Sequence, residues 1–227
     1  MCDRGPDREE TGIDAERLDV FLETIGKGNG PFLDALEEKA RRENVPIVRR
    51  QTQELLRVLV TAKKPVRILE IGTAVGFSAL LMAAAAPEGC RITTIEIMEE
   101  RAREAEENIA ACGMRDRIEV ICGDARSVLE DLEDSFDFIF MDAAKGQYVR
   151  FLPEVMRLLR PGGMLVSDNC LREGSVLESR YAVDRRDRTI HKRMREYLRA
   201  LGQDPALETV ILSGADGVAV SVRKEEA

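Results

Sequence analysis

The sequence predicts an α/β fold. It is a seven-stranded, mostly parallel sheet with helices on both faces, an antiparallel last strand and extra helices ahead of it. Three observations predict it. From Val66 onward, short apolar runs alternate with helix-length segments, the rhythm of β-α-β units. Before Val66, apolar residues recur at helical spacing. Between the last two apolar runs stands "GADG", turn chemistry that suits a hairpin and so reverses the final strand.

The elements follow in order within one domain over 1–227. Residues 1–12, "MCDRGPDREETG", are polar and mixed in charge and read as a tail, not a secretory signal. Residues 13–65 read as helices. Pro31 can open one whose apolar positions include Phe32, Leu33, Leu36 and Ala40. "NVPIV" interrupts it, because the residue before Pro46 is disfavoured in the helical region. A second helix runs from about Arg49 to Ala62, with Leu55, Leu56, Leu59 and Val60 as its core stripe. The core occupies 66–223. Its strands are "VRILEI", "RITTIEI", "RIEVIC", "FDFIFMD", "GMLVSDN", "LETVILSG" and "GVAVSVRK". Helices are predicted over 78–86, 98–111, 125–132 and 148–159.

Composition narrows the class. The chain of 227 residues suits one sizeable core. Its longest apolar run, Ala79 to Ala86, is too short to span a bilayer, so no membrane role is expected. Five cysteines stand at 2, 90, 112, 122 and 170, with no C-x-x-C pair. That argues against a zinc site or a disulfide framework and for a reducing cytoplasm. The net charge of −8 argues against a protein that coats nucleic acid. Yet residues 180–199 carry eight Lys/Arg against three acids, a local +5. This stretch is either a solvated helix face with its loop or a phosphate-contacting patch.

In an open α/β sheet the ligand lies beyond the carboxyl ends of the strands. The first strand ends in Glu70-Ile71-Gly72, the second in Glu96-Ile97 and the third in Gly123-Asp124-Ala125. The fourth ends in Asp142 and the fifth in Asp168-Asn169. An acid or amide stands at all five. The turn "EIGTAVG" is E-x-G-x-x-x-G, not the dinucleotide G-x-G-x-x-G. Gly72 and Gly76 let a backbone approach a ligand closely. Glu96, 24 residues past Gly72, is placed to read a ribose. Asp124 could accept from an adenine amine. Carboxylates around the loop repel a pyrophosphate but suit a ligand with a ribose, an adenine and a positive charge. S-adenosyl-L-methionine has all three. Ser78 reads as a helix N-cap, and also as a cofactor contact.

"LEIGTAVGFSAL", "IEI", "GDA", "FIFMDAAKGQY" and "LVSDN", in that order, resemble the cation-dependent, catechol-type class I O-methyltransferases, whose fold is Rossmann-like. The likeness covers about residues 45–223. "DAAKGQY", "VPIV" and "HKRMREYL" with "ILSGADGVAVS" are most similar to the bacterial tRNA 5-hydroxyuridine methyltransferases within that family. The resemblance implies a metal site of Asp142, Asp168 and Asn169 holding Mg²⁺ or Mn²⁺, whose oxygen ligands suit such an ion. It implies Lys145 as general base, with Asp142 sharing the catalytic centre. It places Val48, Glu70, Gly72, Thr73, Gly76, Ser78, Glu96, Ile97, Gly123, Asp124, Ala125 and Asp142 around S-adenosylmethionine. It also implies a homodimer, with the N-terminal helices as candidate contacts.

Two acceptors compete, since each offers vicinal oxygens: a catechol-like phenol, and 5-hydroxyuridine at the tRNA wobble position. The absence of Trp, the +5 stretch at 180–199, and Arg41, Arg42, Arg49 and Arg50 around "NVPIV" favour the anticodon loop as partner. A cofactor-binding protein without catalysis is the third reading. It is disfavoured because Lys145 and the metal triad are present. Cys170 reads as a small packing residue and His191 as a solvated one.

Overall fold

A computed structural model describes residues 17, 20–21, 24–171, 174–214 and 216–225; the predicted tail lies outside them. Two helices lead into the sheet. Helix α1 (Pro31–Arg42) opens on its proline and buries Leu33, Leu36 and Ala40. Phe32, predicted to share that face, is exposed: it precedes Leu33, and adjacent helical residues point about 100° apart. Helix α2 (Arg50–Lys63) buries Leu56 and Val60 and ends on Lys64 in the left-handed conformation. Its buried stripe is turned from the predicted one. Thr52 and Gln53 are interior, while Leu55 and Leu59 are only partly covered.

The sheet then builds as the alternation requires. Its elements are β1 (Arg67–Ile71), α3 (Phe77–Ala85), β2 (Arg91–Glu96), α4 (Glu99–Ala111), β3 (Ile118–Cys122), α5 (Ala125–Asp131) and β4 (Phe136–Met141). These are followed by α6 (Tyr148–Leu158), β5 (Leu159–Ser167), α7 (Arg188–Gln203), β6 (Leu207–Leu212) and β7 (Val218–Arg223). The strand order is β3-β2-β1-β4-β5-β7-β6. β7 is antiparallel to both neighbours, and the other pairs are parallel. The predicted helices begin and end within one residue of those found.

"FDFIFM" reads as continuous apolar sequence because β4 is central and covered on both faces. Phe138 and Phe140 join the cluster under α1, α2 and α3. Ile139 and Met141 join the cluster under α6 and α7. Truncating Phe140 to alanine would cost about 3–5 kcal/mol. The strand order reverses direction between β1 and β4, and the crevice opens there, at their carboxyl ends.

Candidate active site

The glycine turn is shaped by its neighbours. Gly72 has φ +102°, and a β-carbon there would overlap the backbone carbonyl of Asp142. Only glycine lets β1 and β4 approach so closely at the crevice. Ala74 also has positive φ, at 46°. Glu96 holds it: one carboxylate oxygen accepts from the Ala74 N–H at 2.8 Å, the other from the Met98 N–H at 2.9 Å. Beneath the turn, the Thr94 hydroxyl donates to Glu70 Oε2 at 2.5 Å and lies 2.5 Å from that of Thr73. Glu70 Oε1 has no hydrogen-bond partner among the described residues. Burial pushes the Glu70 carboxyl up to about 7, against the hydrogen bonds from Ser78 and Thr94.

Ser78 is therefore not the N-cap of α3. That place belongs to Gly76, in the left-handed conformation, and the serine bonds back to Glu70. Gly76 also lies close to Ala105 of α4, where a β-carbon would meet another at 3.3 Å. Asp124 caps α5 by accepting from the Arg126 N–H at 2.8 Å.

The other half of the crevice is built differently. Asp142 follows β4, and Asp168-Asn169 follows β5. Asn169 adopts φ +56°, which turns its amide back so that Nδ2 donates to Asp142 Oδ1 at 2.9 Å. Its backbone N–H donates to Asp168 Oδ1 at 2.8 Å, and the buried Thr52 hydroxyl donates to the same oxygen at 3.2 Å. Burial raises the Asp142 carboxyl. Burial, then the charge of Asp142, pushes Asp168 up to about 7. Burial and mutual charge thus both disfavour the ionised form of this pair. Among the described residues no group of three or more His, Cys, Asp or Glu is arranged for a metal. The set here is two acids and an amide, all oxygen donors, which fits a hard divalent ion.

Lys145 opens a short 3₁₀ turn after β4, and its Nζ lies 3.8 Å from Asp216 of the β6–β7 turn. Backbone bonds hold that turn beside Asn169: Cys170 N–H donates to Gly217 O at 2.7 Å and Leu171 N–H to Asp216 O at 2.8 Å. Cys170 is fully buried and packs there; burial pushes its thiol up to about 12.

The basic stretch is divided: Arg180, Arg185, Arg186, Lys192 and Arg199 are exposed, while three arginines turn inward. Arg188, Arg193 and Arg195 donate to the carbonyls of Val183, Gly146 and Val176. His191 is buried, not solvated, with Nε2 3.2 Å from the Glu178 carbonyl, which can only accept. Arg186 sits beside Asp184 and Asp187, and Lys192 beside Glu196. Arg41, Arg42 and Arg50 pair with Glu37, Glu38 and Glu54 one turn away. Sequence summed these charges; the fold spends most of them on carbonyls and neighbouring acids.

A cavity of about 890 Å³ fills the crevice. Gly72, Thr73 and Ser78 line it from the first turn, and Glu96 and Ile97 from the second strand. Gly123, Asp124 and Ala125 line it from the third. Val48 closes one side, and Asp142, Lys145 and Asn169 the other. Glu70, Gly76 and Asp168 stand behind the wall. The sequence did not single out Arg101, Arg126 and Arg150, which also line it. Nor did it single out Thr52 and Asp216, which reach the site only through packing. A second cleft of about 660 Å³, at the amino ends of β2 and β3, contains none of the predicted residues.

A family model described as O-methyltransferase matches residues 25–224. The chain belongs to that family. Catechol O-methyltransferase of Mycobacterium tuberculosis is 33% identical over 214 residues, which is 90% of this chain and 94% of that one. An O-methyltransferase from Bacillus cereus, solved with S-adenosylhomocysteine, superposes with a TM-score of 0.81 at 27% identity, covering 92% of this chain and 97% of that one. TomG from Streptomyces achromogenes, solved with S-adenosylmethionine, gives 0.82 at 25%, covering 94% and 100%. This O-methyltransferase is S-adenosylmethionine-dependent, and its seven-stranded sheet is the fold of those structures. Among the described residues no helix is long and apolar enough to cross a membrane.

Proposed function

We propose that this O-methyltransferase methylates one of two vicinal oxygens on a small catechol-like acceptor, with a divalent ion held by Asp142, Asp168 and Asn169. The observation that carries this is the convergence of two acids and an amide at the β4 and β5 ends: Asn169 Nδ2 donates to Asp142 Oδ1 at 2.9 Å and its N–H to Asp168 Oδ1 at 2.8 Å, with Lys145 lining the same cavity as Asp142 and Asn169. The bound ion supplies positive charge that orients an acceptor hydroxyl and lowers its pKa.

The chain's own residues do the rest. Glu96, already fixed by two N–H donors, presents its oxygens toward the ribose of S-adenosylmethionine. Val48, Thr73 and Ser78 face its methionine part, while Ile97 and Ala125 flank the adenine. Lys145 Nζ takes the proton from the acceptor hydroxyl. The oxygen attacks the methyl carbon, the S–CH₃ bond breaks as the O–CH₃ bond forms, and S-adenosylhomocysteine leaves neutral at sulfur. Asp216 faces the resulting ammonium.

A second reading is 5-hydroxyuridine at the tRNA wobble position. What favours it is the exposure of Arg180, Arg185, Arg186 and Arg199 on the acceptor-side segment. The internal bonding of the rest of that stretch favours the small acceptor. Two assays with the same enzyme separate them: one with a catechol, one with tRNA bearing 5-hydroxyuridine, each with Mg²⁺ and with EDTA. Charge reversal of the exposed Arg180, Arg185 and Arg186 should leave the catechol rate intact. If it abolishes methylation of tRNA and flattens its salt dependence, the acceptor is RNA. Full-rate methylation in EDTA would overturn the metal reading.

A further inference from the structure

Two tyrosines lie beneath the β4 and β5 ends and have no part in the chemistry above. Tyr148 and Tyr197 are both fully buried, and their rings meet edge to face with centroids 5.4 Å apart. The Tyr148 hydroxyl lies 3.1 Å from the carbonyl of Met141 and 3.1 Å from that of Asp168. A hydroxyl has one proton, so the two carbonyls share it. Tyr197 reaches the hydroxyl of the preceding residue, Ser167, at 2.5 Å. Burial holds both phenols well above their usual range, so both remain protonated.

The place of this bridge matters. The β4–β5 pairing runs to Met141 opposite Ser167, and one further bond joins Asp168 N–H to Met141 O at 3.0 Å. Beyond that rung the two strands part, and Asp142, Asp168 and Asn169 emerge from the ends. The Asp168 carbonyl takes the phenol, with the Cys170 thiol at 3.9 Å. One side chain therefore spans the last backbone hydrogen bond that joins the two strand ends.

We propose that Tyr148 is a positioning residue for the metal site, its hydroxyl setting the separation of the β4 and β5 ends and hence the spacing of Asp142, Asp168 and Asn169. The inference rests on the metal reading above. A ligand set must be held to about 0.5 Å to bind well. Removing a residue that orients ligands weakens metal binding by roughly 10–100-fold.

The test is calorimetric titration of Mn²⁺ into the full chain saturated with S-adenosylhomocysteine. Wild type should bind one ion. Tyr148→Phe should bind it roughly 10–100-fold more weakly, with S-adenosylhomocysteine affinity unchanged and turnover recovering in excess Mn²⁺. Tyr197→Phe removes an equally buried hydroxyl that touches no backbone carbonyl at these ends, and should bind Mn²⁺ as wild type does. Should Tyr148→Phe fail to fold, 4-fluorophenylalanine at 148 fills the same volume without donating a proton. Wild-type Mn²⁺ affinity in the 148 variant overturns the inference, as does an equal loss in Tyr197→Phe. If wild type itself binds no Mn²⁺, the metal reading falls and takes this inference with it.

Discussion

The two halves of the crevice differ in what surrounds their carboxylates. On the β1–β2–β3 side each acid has a task within the protein. Glu96 takes two backbone N–H groups and Asp124 one, and Glu70 takes hydroxyls. On the β4–β5 side Asn169 bridges Asp142 and Asp168, Thr52 adds a hydroxyl to Asp168, and both acids are raised by burial, Asp168 also by the charge of Asp142. Carboxylates satisfied by fixed donors define the shape of a pocket. Carboxylates raised by burial and by each other's charge are completed by something positive. The first half is a finished mould for the methyl donor, and the second is a half-built site for a cation and the acceptor.

The largest expected effect breaks the second half alone. Asp168→Ala removes an anionic ligand, so turnover should fall roughly a hundredfold or more. S-adenosylmethionine affinity, read by calorimetry, should stay close to wild type. A parallel collapse of cofactor binding would mean that the halves are not separable.

Next comes Glu70, the acid of the first half that is not fully satisfied. Its carboxyl is raised to about 7 in the folded state, above an unfolded value of about 4.3. The folded protein therefore binds more protons than the unfolded chain between about pH 4 and 7. The group costs nothing below that window, and stability falls by about 3 kcal/mol as pH rises through it. Glu70→Gln should flatten the slope of stability against pH by that amount, measured by denaturant titration at pH 5 and pH 8. An unaltered slope would place the raised acid elsewhere.

Glu96→Ala tests the mould itself. It frees two N–H donors and the strained Ala74, and should weaken S-adenosylmethionine by about 1–3 kcal/mol. Metal affinity should not follow. The smallest effect is expected from Asp216→Asn, since the Lys145–Asp216 separation of 3.8 Å is long for an ion pair. Turnover should drop severalfold, about 1 kcal/mol on the scale of a partly buried pair, without a change in cofactor affinity. A hundredfold loss would make Asp216 a full partner in proton transfer.

The two halves also differ in how legible they were. The first is local: Gly72, Glu96 and Asp124 sit at strand ends that period-two runs reveal, so the pattern locates the site. The metal candidates were legible for the same reason. What escaped were contacts across the fold. Thr52 looks like a helix-surface threonine until α2 packs over β5. His191 and Arg195 look like solvent charges until α7 closes over the segment before it. A summed +5 records composition, but whether a guanidinium meets a phosphate or a carbonyl is decided by packing. The strained φ of Ala74 has no signature in a residue type that is at home in helices.

The grip of α7 on the segment at 174–187 has a consequence for how this enzyme can change. Its arginines and histidine hold that segment by main-chain carbonyls, those of Val176, Glu178 and Val183. Carbonyls are common to every sequence. Leu177 and Tyr181 meanwhile point outward, 74% and 87% exposed. The segment is thus a cassette fastened by its main chain and by the buried Val176 and Val183, with its outward positions left out of the fastening. Its outward side chains can be exchanged one after another while the clasp stays closed, so this surface can drift without the cofactor mould being recast.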